Sequence, residues 1–158
     1  MSERILVPLD GSKIGEAALP YVEELVSKLS PEVKAEVTLF QVVSSLTYYV
    51  VAGDAGVQVP YTEKEMEQIK RKSMDYLKKA GEVLKSKGVT VKTKVGVGNA
   101  ADEIIKTADE INANLIAMST HGRSGLSRWA FGSVTDRVLR GANVPVIIVR
   151  ASREAREI

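Results

Sequence analysis

Apolar residues recur along this chain in two rhythms. Ile5-Leu6-Val7, Glu36 to Val43, Leu115-Ile116-Ala117-Met118 and Val146-Ile147-Ile148-Val149 are short stretches that are apolar nearly throughout. Such runs, bounded by turn residues, read as strands buried on both faces. Thr90 to Val97 instead alternates, with Val91, Thr93, Val95 and Val97 on one side and Thr90, Lys92, Lys94 and Gly96 on the other. One polar face suits a strand near a sheet edge. Between these segments the spacing changes to the i, i+3, i+4, i+7 pattern of helices. Ile14, Ala17, Ala18, Tyr21, Val22, Leu25, Val26 and Leu29 follow it, with Ser12 as the expected N-cap, a kink expected at Pro20 and a stop at Ser30-Pro31. Met66, Ile69, Ser73, Tyr76, Leu77, Ala80 and Leu84 trace a second helix, opened by the capping box Thr62 to Glu65 and closed by Gly88. Ala101, Ile104, Ile105, Ala108 and Ile111 predict a third behind Asn99, and Val134, Val138, Leu139 and Ala142 a fourth.

Residues 44 to 61 keep neither rhythm. Gly53, Asp54, Gly56 and Pro60 are scattered among Tyr48, Tyr49, Val50 and Val51. This stretch is expected to be a long irregular excursion that serves as a lid or contact surface or is disordered. Elsewhere the order β-α-β-α-β-α-β-α-β predicts a single α/β domain over residues 1–150. Its sheet is expected to be parallel, with helices on both faces and right-handed crossovers. Residues 151–158 form a charged tail, expected to be solvated.

Composition narrows the function classes. The 158 residues suffice for one domain with its own core. Hydrophobic content of 44% and charged content of 27% are those of a soluble globular chain. The net charge of +2 is too small and too evenly spread to mark a nucleic-acid partner. Without cysteine there is no disulfide, thiolate metal site or cysteine nucleophile. No apolar run approaches a membrane span, and Met1-Ser2-Glu3-Arg4 leads straight into the first strand. The expectation is a soluble cytoplasmic protein with neither membrane nor nucleic-acid partner and no metal site.

The chemistry concentrates between Ser119 and Val134. There a buried strand opens through Gly122, Gly125 and Gly132, with Ser119, Thr120, Ser124, Ser127 and Ser133 interspersed, onto a helix N-terminus. Free N–H groups, the helix dipole and the close approach glycine permits make such a loop an anion site. We read it as a phosphate loop. In open α/β sheets a ligand lies beyond the carboxyl ends of the strands, where strand order reverses. With the order 3-2-1-4-5, Asp10 and Gly122 line one crevice. Several residues read two ways. Ser133 is either an N-cap, with Asp136 in the first turn, or a phosphate contact. Asp10 either orders the first turn or binds a sugar. Arg123 is either solvated or paired with phosphate. His121, the sole histidine, has no partner within sequence reach for chemistry of its own. Trp129 and Phe131 are expected to pack the loop, and Tyr48 and Tyr49 to cover a base or form an interface. No G-x-x-x-x-G-K-[ST] run occurs, so the chain is not a P-loop NTPase.

These residues resemble the universal stress protein family, of the nucleotide-binding kind, over nearly the whole chain from Ile5 to Arg150. Ile5-Leu-Val-Pro-Leu-Asp-Gly-Ser12 is similar to that family's first strand and turn. The later stretch is similar to its signature of glycine, two residues, glycine, nine residues, glycine, then serine or threonine, with Gly122, Gly132 and Ser133 in place and Ser119 where the first glycine is expected. The resemblance implies a Rossmann-like open parallel five-stranded sheet of order 3-2-1-4-5 with helices on both faces. It implies ATP as ligand, with or without Mg2+. Asp10, beyond Pro8, would meet the ribose hydroxyls, and the Val42 backbone would meet adenine. Ser119, His121, Gly122, Arg123, Gly125, Gly132, Ser133 and Val134 would surround the phosphates. A sensor or regulatory module follows, with at most slow hydrolysis. The alternatives are a slow ATPase or phosphotransferase using Asp10, Ser133 or His121, and a nucleotide-free interaction module. A homodimer through Val146 to Val149 is also expected, because an apolar edge strand needs a cover.

Overall fold

Five parallel strands form the central sheet of the computed structural model, which describes residues 1–120 and 132–151. In chain order the elements are β1 (Ser2–Pro8), a 3-10 turn (Gly15–Ala17), α1 (Ala18–Ser27), β2 (Lys34–Val43), β3 (Thr47–Ala52), β4 (Ala55–Pro60), α2 (Glu63–Ala80), α3 (Glu82–Ser86), β5 (Thr90–Val97), α4 (Ala100–Glu110), β6 (Leu115–Thr120), α5 (Ser133–Gly141) and β7 (Val146–Arg150). The sheet runs β5-β2-β1-β6-β7, which is the expected 3-2-1-4-5 arrangement of its members.

The strands read as continuous apolar runs because the sheet is covered on both sides. Ile5 and Val7 join Val37, Leu39 and Ala117 in a core layer completed by Val22 of α1, Leu77 of α2 and Leu84 of α3. The intervening Leu6, Phe40, Ile116 and Met118 point the other way, against Ile104 of α4 and Val138 of α5. Period-two alternation thus sends every second residue into a different core, and both sets are largely apolar, with Thr38 in β2 an exception. β5 lies at an edge, where Lys92 pairs with Glu36 at 3.0 Å and Lys94 with Glu110 at 2.7 Å.

Several expectations are corrected. Residues 44 to 61 contain an antiparallel hairpin, β3 with β4, outside the main sheet. Its two-residue loop is Gly53-Asp54, and Gly53 has φ +66°, a conformation that glycine adopts without strain. The Tyr61 N–H donates to the Leu46 carbonyl at 3.0 Å, closing the hairpin at its base. Ser12 does not cap α1. A 3-10 turn intervenes, so Pro20 falls in the first turn of α1, where its missing N–H has no helical acceptor to lose and gives no cause for a kink. The second helix breaks at Gly81 into α2 and α3. A Cβ there would stand 3.0 Å from Val91 Cγ1 and 3.1 Å from Leu39 Cδ1, so the backbone comes close to the sheet. Gly132, not Ser133, is the N-cap of α5, which places Ser133 at the first helical position and pairs Asp136 with Arg140. The capping box of Thr62 and Glu65 and the Asn99 cap are as expected. Ala151, assigned by the sequence to the solvated tail, is buried. Among the described residues, no helix is long and apolar enough to cross a membrane.

Candidate functional site

β1 and β6 are neighbours, yet the helix that follows β1 packs on one face of the sheet and the helix that follows β6 on the other. The chain parts between their carboxyl ends, and a cleft of about 280 Å³ opens there. Pro8, Asp10, Val42, Ser119 and Val134, all singled out by sequence, line it. Ser133 lies in an adjoining depression that shares Ser44, Ala100 and Val134 with the cleft. Gly132 stands at the entry to α5. His121, Gly122, Arg123 and Gly125 lie outside the described residues.

Backbone alternation opens β2 toward the cleft. The Phe40 carbonyl accepts from Leu9 N–H at 2.8 Å, on the β1 side, and the Val43 carbonyl accepts from Gly98 N–H at 3.1 Å, on the β5 side. The N–H and C=O of Val42 therefore face the β1 side, beyond Pro8, where β1 has ended. They present a donor and an acceptor side by side.

Asp10 orders the first turn. Its Oδ1 accepts from Ser12 N–H at 2.9 Å and from Ser12 Oγ at 2.6 Å. Ser12 Oγ in turn accepts from Gly15 N–H at 3.0 Å. Gly15 leaves room for this arrangement, since a Cβ there would stand 2.4 Å from Asp10 Oδ1. Ser119 is buried at the end of β6. Its hydroxyl donates to the Gly15 carbonyl at 2.8 Å and accepts from Ala18 N–H at 2.9 Å. A hydroxyl has one proton, so the proton of Ser119 is committed to the 3-10 turn.

The α5 N-terminus supplies the anion-attracting end. Its N-cap, Gly132, has no side chain to cap with, and its first backbone N–H groups belong to residues that border the cleft and the depression. Arg137, one turn further on, bonds Asp102 at 2.8 Å and Asn99 Oδ1 at 3.3 Å, tying α5 to the start of α4.

Sequence reasoning missed Gln41, Gly15 and Thr135, which also line the cleft, whereas Ser44, the polar residue just after the second strand, is where that position predicts. Gln41 carried a signal, being a polar residue near the carboxyl end of an apolar strand. Its Oε1 is buried and has no hydrogen-bond partner among the described residues. Gly15 carried none, because nothing local distinguishes it from any glycine at the start of a helix.

A parallel five-stranded α/β domain whose cleft lies at the reversal of strand order is a Rossmann-like ligand-binding domain. Within that class the profile of the universal stress protein family matches residues 1–150. Universal stress protein MJ0577 of Methanocaldococcus jannaschii is 32% identical over 161 residues, covering 95% of this chain and 96% of that protein. Universal stress protein YxiE of Bacillus subtilis is 30% identical over 152 residues, covering 95% of this chain and all of that protein (100%). This chain belongs to the universal stress protein family. Among solved structures, that of MJ0577 shares the fold with a TM-score of 0.72 at 24% identity, covering 96% of this chain and 97% of that one. An Arabidopsis thaliana family member with AMP bound gives 0.64 at 15% identity, covering 96% and 94%. A universal stress protein in complex with cAMP gives 0.55 at 21%, covering 95% and 98%.

Proposed function

We propose that this protein binds an adenine nucleotide, ATP with or without Mg2+, in the cleft between β1, β2 and β6 and acts as a nucleotide-dependent regulatory module. The observation that carries the reading is the open backbone of Val42, whose adjacent donor and acceptor match the hydrogen-bonding edge of a purine. The rest of the site fits the same ligand. Asp10 offers a carboxylate to sugar hydroxyls, and the α5 N-terminus offers N–H groups to phosphate. Gln41 Oε1 is a further acceptor at the cleft wall. His121, Gly122, Arg123 and Gly125 join the phosphate end by the signature alone. Relatives of the same fold that hold AMP and cAMP support an adenine ligand. Backbone amides and hydroxyls hold a nucleotide without activating water, so binding is the principal activity and hydrolysis at most slow.

The reading includes a homodimer through β7, which is an edge of the sheet. The Pro145 carbonyl accepts from Ile116 N–H, so alternation turns the N–H and C=O of Ile148 outward. A second copy of the strand would cover them.

Thermal unfolding with and without ATP and Mg2+ tests the nucleotide. At a concentration 100 times Kd, ligand adds about 2.7 kcal/mol, which raises the midpoint of a domain this size by roughly 5–10 °C. Gly132→Val, which puts a branched side chain at the mouth of α5, abolishes the shift. No shift in the wild-type protein at saturating nucleotide overturns the proposal.

A further inference from the structure

The hydrogen bonds around the first turn join into one directed chain. Ala18 N–H donates to Ser119 Oγ, and Ser119 donates to the Gly15 carbonyl. Gly15 N–H donates to Ser12 Oγ, and Ser12 donates to Asp10 Oδ1. Each hydroxyl in this chain both accepts and donates, and the two halves meet at Gly15, whose carbonyl and N–H belong to successive peptide groups. The chain begins at the end of β6 and finishes on the carboxylate just beyond β1. Its middle member has no Cβ, and the Asp10 oxygen lies close to where one would be. Gly15 therefore couples to Asp10 twice, by the relay through Ser12 and by steric fit.

We infer that Ser119 is a positioning residue, which holds the Gly15 backbone and through it sets the Asp10 carboxylate that faces the nucleotide sugar. The inference rests on the proposed nucleotide site and deepens it. The residue standing where the family signature has its first glycine works on the sugar end of the cleft rather than on phosphate. Its side chain is buried, and its one proton is spent on Gly15. It acts through other groups and need not touch the ligand.

Calorimetric titration with ATP and with 2′,3′-dideoxy-ATP tests this in the wild-type protein, Ser119→Ala, Ser119→Gly, Gly15→Ala and Asp10→Asn. Each variant should weaken ATP by about tenfold, equivalent to about 1.4 kcal/mol, and leave the dideoxy nucleotide within twofold of wild type. Ser119→Ala should add nothing to Asp10→Asn. A purely structural role would weaken both nucleotides alike, and that result overturns the inference, as does unchanged ATP affinity in Ser119→Ala. Ser119→Gly supplies the same loss of hydroxyl should Ser119→Ala not fold, and Gly15→Ala reaches Asp10 with Ser119 intact. If the wild-type protein binds neither nucleotide, the proposed function fails by itself. Amide exchange then reads the relay directly. Faster exchange at both Ala18 and Ser12 in Ser119→Ala upholds it, whereas faster exchange at Ala18 alone overturns it.

Discussion

Among the described residues, two side-chain oxygens, Gln41 Oε1 and Tyr76 Oη, are buried without a hydrogen bond of standard geometry. Both lie close to the turn that carries Asp10. Gly11 is the common neighbour, with a Cβ position 3.6 Å from Gln41 Nε2 and a backbone that acts electrostatically on the Tyr76 phenol. Burial pushes the phenol well above the usual tyrosine range, and the nearby Glu16 carboxylate adds to the shift. A phenol held neutral in the folded state favours folding below the unfolded-state value of about 10 and loses that contribution as pH rises further. Tyr76→Phe should therefore unfold in urea within about 1 kcal/mol of wild type at pH 8, where the phenol is neutral in both states and the loss is that of one uncharged hydroxyl. At pH 11 the wild-type midpoint should have fallen further than that of the variant, and parallel declines would refute the assignment. At this scale the sequence was legible where a residue's type matches its task. Asp10 could be placed at the cleft from its position at a strand end, and Val134 through the family resemblance. Gly15 and Ser119 could not, because their roles depend on contacts between segments about a hundred residues apart.

The hairpin shows how an element escapes a periodicity argument. A half-buried strand alternates and a fully buried one is apolar throughout, but β3 and β4 are largely exposed on both faces and do neither. Val50 and Val51, on opposite faces, are 40% and 69% exposed, so neither face was selected to be apolar and no rhythm emerges. The Gly53-Asp54 pair was the readable signal, since glycine at the first of two loop positions specifies a hairpin turn. The two strands pack chiefly on each other, aided by the Tyr48 and Tyr61 rings at 5.2 Å. Tyr49 lies across Gly56, with its hydroxyl 1.6 Å from where a Cβ would stand. Gly56→Val should dislodge that ring and open the hairpin locally. Limited proteolysis should then cut faster within residues 47–60, while the global unfolding free energy from urea titration changes by less than about 0.5 kcal/mol. A large loss of global stability would show that the hairpin is part of the main cooperative unit.

For the whole molecule the architecture was written in the strands. Ile5-Leu6-Val7 and Leu115 to Met118 are apolar at every position because each feeds two cores, and a sheet sandwiched between helices is the arrangement that requires this. Strand order came from the family resemblance and the general rule for such sheets, not from spacing. The same topology leaves β7 as an edge, which makes assembly testable with one substitution. Ile148→Pro removes an outward N–H and leaves the ladder to β6 intact. Light scattering at micromolar concentration should give a dimer for the wild-type protein and a monomer for Ile148→Pro. Equal masses would place any assembly elsewhere. The tie between Leu46 and Tyr61 at the base of the hairpin has a consequence on the same scale. The path from β2 to α2 is already closed at that bond, so the fourteen residues between its ends behave as a cassette. Such a segment can lengthen, shorten or be exchanged while the sheet and the cleft stay as they are. A protein that holds its ligand with one part of the chain is thereby free to change whom it meets with another.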